Sequence, residues 1–319
     1  MTQWKVLVST PYFQEALPAY ARRMEELGIV VVAPAVHERL SEAELLPLVH
    51  DIDGALCGDD RFTDRVFAAA PRLRIISKWG TGIDSIDCDA AARRGIVVKN
   101  VPDAFSVPVA ETACAFLMNF ARQVHWTDQD IRRGVWEKRR GRTLAESTLG
   151  IIGVGNIGKA FARRAHAFGM RLLGYDAVAP DAAFVQEVGM TVTDLPMLLR
   201  ESDYVSLHCA LSATTRHLID RAALAQMQRH AVIVNTARGG LIDERALVDA
   251  LVSHQIGGAG LDVFEEEPLP ANSPLRQLDN VILSPHNANS SPHYWQLVHE
   301  RAFTQLVEGL RAANTRVPS

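Results

Sequence analysis

Three segments late in the chain each place one reactive side chain just after a short apolar run. Arg238 sits in Val232-Ile-Val-Asn-Thr-Ala-Arg238-Gly-Gly240, Glu267 in Gly260-Leu-Asp-Val-Phe-Glu-Glu-Glu267-Pro268, and His286 in Val281-Ile-Leu-Ser-Pro-His286-Asn-Ala. A guanidinium can bind a carboxylate through two parallel hydrogen bonds. An imidazole can exchange a proton near neutral pH. A neighbouring carboxylate orients that ring and favours its protonated form. Together the three types suit a reaction in which an anionic substrate is held while a proton is given or taken.

A fourth segment supplies a place for a nucleotide. Thr148-Leu-Gly-Ile-Ile-Gly153-Val-Gly155-Asn-Ile-Gly158 reads as a strand, a glycine-rich turn and a helix start. The apolar run Leu149–Val154 suits a buried parallel strand. Ile157 to Phe168 is helical in pattern with Gly169 as a stop, and Met170 to Tyr175 is the next strand. Asp176 ends that strand, 18 positions past Gly158 (176 − 158), close to the roughly 20 expected for a carboxylate on a ribose. Gly153 suits a tight turn, Gly155 the approach of backbone amides to a pyrophosphate, and Gly158 close helix–strand packing. The helix N-terminus adds partial positive charge.

These segments need a scaffold that brings strand ends to one edge. Short apolar strands alternate with helical stretches almost throughout, which predicts an α/β chain of parallel sheets. Candidate strands in the first part are Val6–Ser9, Ile29–Ala33, Gly54–Cys57, Leu73–Lys78 and Ile96–Val98. Helical stretches fall near Glu15–Leu27, Glu42–His50 and Thr63–Ala69, with a longer one from Val109 to Arg122. A polar connection with Trp126, Gly134 and Trp136 follows. The later strands are Tyr204–Leu207, Ala231–Asn235, Gly258–Leu261 and Val281–Leu283, with Asp220 and Asp243 as helix N-caps. The last helical stretch, Tyr294 to Ala312, follows the final strand, and its natural place is back against the N-terminal domain. This predicts two domains, residues 1–103 with 290–319 and residues 104–289.

Composition narrows the partners. A length of 319 residues allows two domains, and a net charge of −4 implies no bulk attraction to nucleic acid. The basic clusters Arg132-Arg133 and Lys138-Arg139-Arg140-Gly-Arg142 read as a solvated loop or a subunit arm. No apolar run reaches membrane-spanning length, and the N-terminus reads as a first strand, not a signal peptide. Cys57, Cys88, Cys114 and Cys209 are scattered without zinc spacing, which suits a reducing cytoplasm and predicts no metal site.

The segments also carry a resemblance. Asn235-Thr-Ala-Arg-Gly-Gly-Leu-Ile-Asp-Glu, Leu261-Asp-Val-Phe-Glu-Glu-Glu-Pro and Ser284-Pro-His resemble the signatures of the D-isomer-specific 2-hydroxyacid dehydrogenase family. Lys78-Trp-Gly-Thr-Gly-Ile-Asp-Ser-Ile-Asp87 resembles that family's substrate loop, and Asn100 to Glu111 its interdomain hinge. The resemblance implies two doubly wound domains, a Rossmann NAD domain inserted into a flavodoxin-like substrate domain, with the active site in their cleft. It implies that Arg238 binds the substrate's carboxylate and carbonyl side, that His286 is the acid/base on the C2 oxygen, and that Glu267 is its partner. Gly80, Thr81 and Gly82 would hold the carboxylate. Thr81, Asn156, Ile157, Asp176, Cys209, Thr236 and Asp262 fall where family members touch the dinucleotide. A homodimer formed through the nucleotide domain is implied as well.

The activity so implied is NAD-dependent hydride transfer at C2 of a small 2-hydroxy or 2-keto acid, without membrane or nucleic-acid partners. Two rivals stand beside it: a short D-3-phosphoglycerate dehydrogenase, and a dinucleotide-sensing protein similar to corepressors of this lineage. Ala210 stands where the family commonly has proline. In phosphoglycerate dehydrogenases the loop at Cys57-Gly58-Asp59-Asp60-Arg61 resembles one with an Arg-Ser pair for the phosphate; Gly58 and Asp59 fall there instead. Two carboxylates would oppose a phosphate, so an unphosphorylated substrate such as hydroxypyruvate or glyoxylate is expected.

Overall fold

Strands buried on both faces explain the near-continuous apolar runs. The computed structural model describes residues 3–314. These divide into two compact units, one running to Ala104 and resuming at Ser291, the other spanning Phe105–Ser290.

The first unit holds β1 (Trp4–Val8), β2 (Ile29–Val32), β3 (Gly54–Cys57), β4 (Ile75–Lys78) and β5 (Val97–Lys99). All pair in parallel, in the order β2-β1-β3-β4-β5. This is the flavodoxin-like doubly wound order. Every residue of β3 and β4 is buried. The long helix Pro292–Asn314 packs against β3, β4 and β5. Ser77 of β4 donates to the Ala302 carbonyl at 2.8 Å, and a side chain at Gly54 would meet Leu306 at 3.0 Å.

The second unit holds β6 (Thr148–Ile152), β7 (Arg171–Tyr175), β8 (Thr191–Val192), β9 (Tyr204–Leu207), β10 (Val232–Asn235), β11 (Gly258–Leu261) and β12 (Val281–Leu283). They form one parallel sheet in the order β12-β11-β10-β9-β6-β7-β8. The order reverses between β6 and β9, which is where a doubly wound sheet binds ligands. The Ser106–Arg122 helix packs on the Asn156–Ala167 helix.

The strands lie within a few residues of their sequence-predicted bounds, and Asp220 and Asp243 cap their helices by accepting from Ala223 and Ala246. Other segments differ. Residues 124–132 are not a polar connection but a helix, Val124–Arg132. Its apolar Val124 and Ile131 are exposed, so no buried stripe marked it. It is held by an Asp128–Arg132 pair at 2.8 Å and by Trp126, which donates to the Asp279 carbonyl at 2.7 Å. The stretch near Glu42–His50 forms a helix only over Glu42–Leu45, capped by Ser41 and Glu44, because Pro47 ends it. Helices Cys88–Arg93, Ala182–Glu187 and Leu195–Glu201, and the two-residue edge strand β8, are too short to show a period in sequence. The basic cluster is largely ion-paired: Arg133 and Arg139 meet Asp130 at 2.8 and 2.6 Å, and Arg142 meets Asp203 at 2.7 Å.

Candidate active site

The second unit's sheet places β10, β11 and β12 side by side, so the loops that follow them are neighbours. After β10, buried Asn235 ties the turn: its amide donates to the Arg238 carbonyl at 2.9 Å, and its oxygen accepts from Ala237 at 3.0 Å. Half-buried Arg238 donates to the Ala237 carbonyl at 2.9 Å. Gly239 packs against the backbone of the β11 loop, where a Cβ would come within 1.9 Å of the Phe264 carbonyl carbon. Only glycine fits that approach, and it locks the arginine loop onto the glutamate loop.

Asp262 closes β11 with no exposed surface. Its carboxylate accepts from Asn287 at 2.8 Å and Ala288 at 2.9 Å, and its carbonyl accepts from the His286 amide at 2.7 Å. The side chain expected at the dinucleotide is thus committed to the histidine loop. That loop puts His286 at φ +51°, an uncommon conformation outside glycine. His286 Nδ1 lies 3.0 Å from Glu267 Oε2, with the ring 24 % and the carboxylate 16 % exposed. The other oxygen, Glu267 Oε1, accepts from the Phe264 amide at 2.9 Å. A carboxylate only accepts, so Nδ1 donates to Glu267.

The glycine turn follows β6. Gly153 has φ +94°, and a Cβ there would strike Cys209 N at 2.4 Å. A Cβ on Gly158 would strike the Gly153 carbonyl at 2.1 Å, whereas one on Gly155 would meet nothing within 4 Å. So Gly153 and Gly158 shape the turn and Gly155 keeps its outer face open. Gly155 caps the Asn156–Ala167 helix without a side-chain bond, and Asn156 and Ile157 are its first residues. Free N–H groups at such a start suit a phosphate. Asp176 accepts from Val154 at 2.7 Å and Val178 at 3.0 Å, which fixes its carboxylate while leaving acceptor capacity for ribose hydroxyls. Buried Thr236 has a hydroxyl with no hydrogen-bond partner among the described residues. Half-buried Cys209 has its thiol pushed up to about 11 by burial, so it is a neutral wall rather than a nucleophile. These features fit a dinucleotide.

Gly80, Thr81 and Gly82 belong to the first unit, in the loop after β4. Gly80 has φ +114° and its carbonyl accepts from Val101 at 2.9 Å; the Thr81 hydroxyl donates to the Val101 carbonyl at 3.1 Å. In the loop after β3 the expectation of two opposing carboxylates needs correction. Asp60 is fully buried and accepts from Ser9 Oγ at 2.7 Å, Leu40 N at 2.6 Å and Gly58 N at 3.0 Å. Asp59 pairs with Lys78 at 3.2 Å. One acid builds the loop and the other is partly neutralised.

Two histidines assigned no role from sequence also matter. Half-buried His208 lies beside the glycine turn, bonds Ser206 Oγ through Nε2 at 2.9 Å and rests on Phe161. Burial pushes it down to about 3, so it is neutral. His217 pairs with Glu265, and Glu244 accepts the Glu265 amide at 3.1 Å, bracing the segment that leads to Glu267. Sequence offered no signal for either, since both depend on contacts between distant strand ends. Among the described residues no group of His, Cys, Asp and Glu could hold a metal ion.

Comparison with known proteins adds the family. The model for the D-isomer specific 2-hydroxyacid dehydrogenase, NAD binding domain, matches residues 114–288. The chain belongs to the D-isomer specific 2-hydroxyacid dehydrogenase family. It is 40 % identical over 291 residues to a D-3-phosphoglycerate dehydrogenase of Methanocaldococcus jannaschii, covering 90 % of this chain but only 54 % of that protein. It therefore spans about half the length of that relative. It is 38 % identical over 292 residues to a hydroxypyruvate reductase of Thermotoga maritima, covering 90 % and 92 % of the two chains. The solved D-lactate dehydrogenase of Aquifex aeolicus, complexed with NAD and lactic acid, matches with a TM-score of 0.86 at 27 % identity, over 97 % of this chain and 95 % of that one. By family this chain is an NAD-dependent oxidoreductase.

Proposed function

We propose that the enzyme interconverts a small, unphosphorylated 2-keto acid and its D-2-hydroxy acid with NAD(H). The observation that carries this is the His286–Glu267 contact at 3.0 Å, one strand end from Arg238. Bound NAD(H) supplies or accepts the hydride. The protein's own groups do the rest. Arg238 pairs with the substrate carboxylate and polarises the C2 oxygen. His286 Nε2 gives its proton to that oxygen in reduction and takes it in oxidation. Glu267 holds the ring and stabilises its charged form. Gly153, Gly155, Asn156, Ile157 and Gly158 receive the pyrophosphate and Asp176 the ribose. Cys209 and Thr236 complete the dinucleotide's surroundings within the second unit, and in the first unit the Gly80–Gly82 loop offers amides to a carboxylate.

The phosphoglycerate reading has support in the Methanocaldococcus relative. Against it, the loop after β3 presents Gly58 and Asp59, with no arginine at those places. We also place the enzyme in the cytoplasm, which four free cysteines suit. No helix among the described residues is long and apolar enough to cross a membrane. We assign it a homodimer through the second unit, whose exposed Trp136 (89 %), Val124 and Ile131 are apolar surface to cover.

The test is steady-state kinetics with glyoxylate, hydroxypyruvate, pyruvate and 3-phosphohydroxypyruvate, each with NADH and NADPH. The expected outcome is turnover of the unphosphorylated acids, with kcat/KM at least tenfold higher for NADH because Asp176 repels a 2′-phosphate. No NADH oxidation with any 2-keto acid overturns the enzyme reading. A tenfold preference for 3-phosphohydroxypyruvate puts the rival in its place.

A further inference from the structure

The first unit's edge strand borders a cavity of about 490 Å³, within the size range of small-molecule sites. β5 is outermost in that sheet, and its Val97 and Lys99, two residues apart, share one face. The segment leading into β4 and the Pro292–Asn314 helix form the other walls. Arg72, Arg74, Arg94 and Lys99 line the cavity with four cations against a single carboxylate, Glu308. Asp53 holds Arg72 at 2.9 Å and Asp64 holds Arg94, yet positive charge stays in excess. The Lys99 side chain makes no ion pair among the described residues. Gln305 lines the same cavity, and its buried Oε1 meets no donor among the described residues. An orphaned buried acceptor favours a ligand that donates to it.

The nitrogen of that amide leads to the loop after β4. Gln305 Nε2 donates to the Asn100 carbonyl at 3.0 Å, and Asn100 Nδ2 donates to the Thr81 carbonyl at 2.6 Å. The next residue, Val101, gives its amide to the Gly80 carbonyl at 2.9 Å and accepts from the Thr81 hydroxyl at 3.1 Å. One cavity-lining amide thus holds the segment that holds the Gly80–Gly82 loop, all within the first unit.

We propose that this cavity binds an aliphatic α-amino acid, and that its occupation steadies the Gly80–Gly82 loop. The carboxylate meets the cations, with Lys99 as its partner. The ammonium donates to Gln305 Oε1 and pairs with Glu308. The aliphatic side chain covers the apolar lining of Leu73, Ile75 and Val97. Inorganic phosphate suits the cations but meets Glu308 with like charge and leaves the apolar wall uncovered. Donation to Oε1 fixes the Gln305 amide with Nε2 on Asn100, and through Asn100 it fixes Thr81. The binding stands apart from the reading of the enzyme as a 2-keto acid reductase; its effect on KM rests on that reading.

The experiment is calorimetric titration of the whole chain with L-valine, and with isovalerate, isobutylamine and inorganic phosphate, which each lack part of it. Valine should bind with a millimolar Kd or tighter, and the other three at least tenfold more weakly. Lys99→Ala and Glu308→Gln, at exposed positions, should each weaken valine at least tenfold, with circular dichroism identifying folded variants. Saturating valine should lower KM for the 2-keto acid about fivefold, the low end of usual coupling between sites. No valine binding, equal binding of isovalerate or phosphate, or binding unmoved in both folded variants overturns the site and leaves the reductase reading intact. Valine binding with KM unchanged overturns the link to the Gly80–Gly82 loop. Absence of turnover with every 2-keto acid overturns the reductase reading itself.

Discussion

The two sheets solve the same local problem with the same residue type, and then diverge. After β11, buried Asp262 fixes the following loops through the Asn287 and Ala288 amides. After β3, buried Asp60 fixes its own loop through Gly58, Leu40 and Ser9. In each case one buried aspartate supplies the rigidity, and a second, less buried acid works with a partner. In the second unit that acid is Glu267 and the partner is His286, which can change charge near neutral pH. In the first it is Asp59 and the partner is Lys78, 3.2 Å away. The first is the pair proposed for proton transfer, and the second ties the ends of β3 and β4 together.

The strongest way to break this contrast is to remove the titrating partner. His286→Ala should cut kcat by roughly two to four powers of ten, the usual worth of a placed acid/base, with little change in melting temperature. A variant that keeps more than a tenth of wild-type turnover would strip His286 of its role.

A smaller effect sharpens it. Glu267→Gln removes the anion 3.0 Å from the ring, so the charged imidazole loses its stabilising partner. Reduction needs that charged form and fades as pH rises. In the variant it should fade at lower pH, and oxidation should extend to lower pH. Profiles of kcat/KM in both directions check this, and coincident wild-type and variant profiles would remove Glu267 from the dyad.

The smallest effect concerns the clasp. Burial, the leading cause, raises the Asp60 carboxyl above its ordinary 3.8. A raised acid binds its proton more tightly when folded. Its contribution to stability is therefore full below the ordinary value and declines as pH rises through the raised one. Asp60→Asn has no such titration. The stability of the wild type relative to Asp60→Asn should fall as pH rises across that window, read from urea unfolding in buffers from acid to neutral. A pH-independent difference would contradict a raised Asp60.

Much of this was legible beforehand. Gly153, Gly155, Gly158 and Asp176 could be read because backbone turns and phosphate approach tolerate few residue types. Arg238, Glu267 and His286 could be nominated as a site because each follows an apolar run long enough to be a buried strand. The Val124–Arg132 helix could not, since its apolar residues face outward and leave no stripe. Nor could the division of labour in Asp59-Asp60: adjacent identical residues point to different neighbours, and only the strand order shows that Ser9 and Lys78 are those neighbours.

The sequence by itself determined the class of sheet and the glycine turn and nominated the reactive trio, because period, glycine placement and residue chemistry are local properties. Tertiary structure alone decided which acids became clasps and which became partners. It also decided that His208 is a neutral ring and that Lys78 is buried against Asp59. Those outcomes depend on burial and on contacts between strand ends far apart in the chain, which no local pattern records.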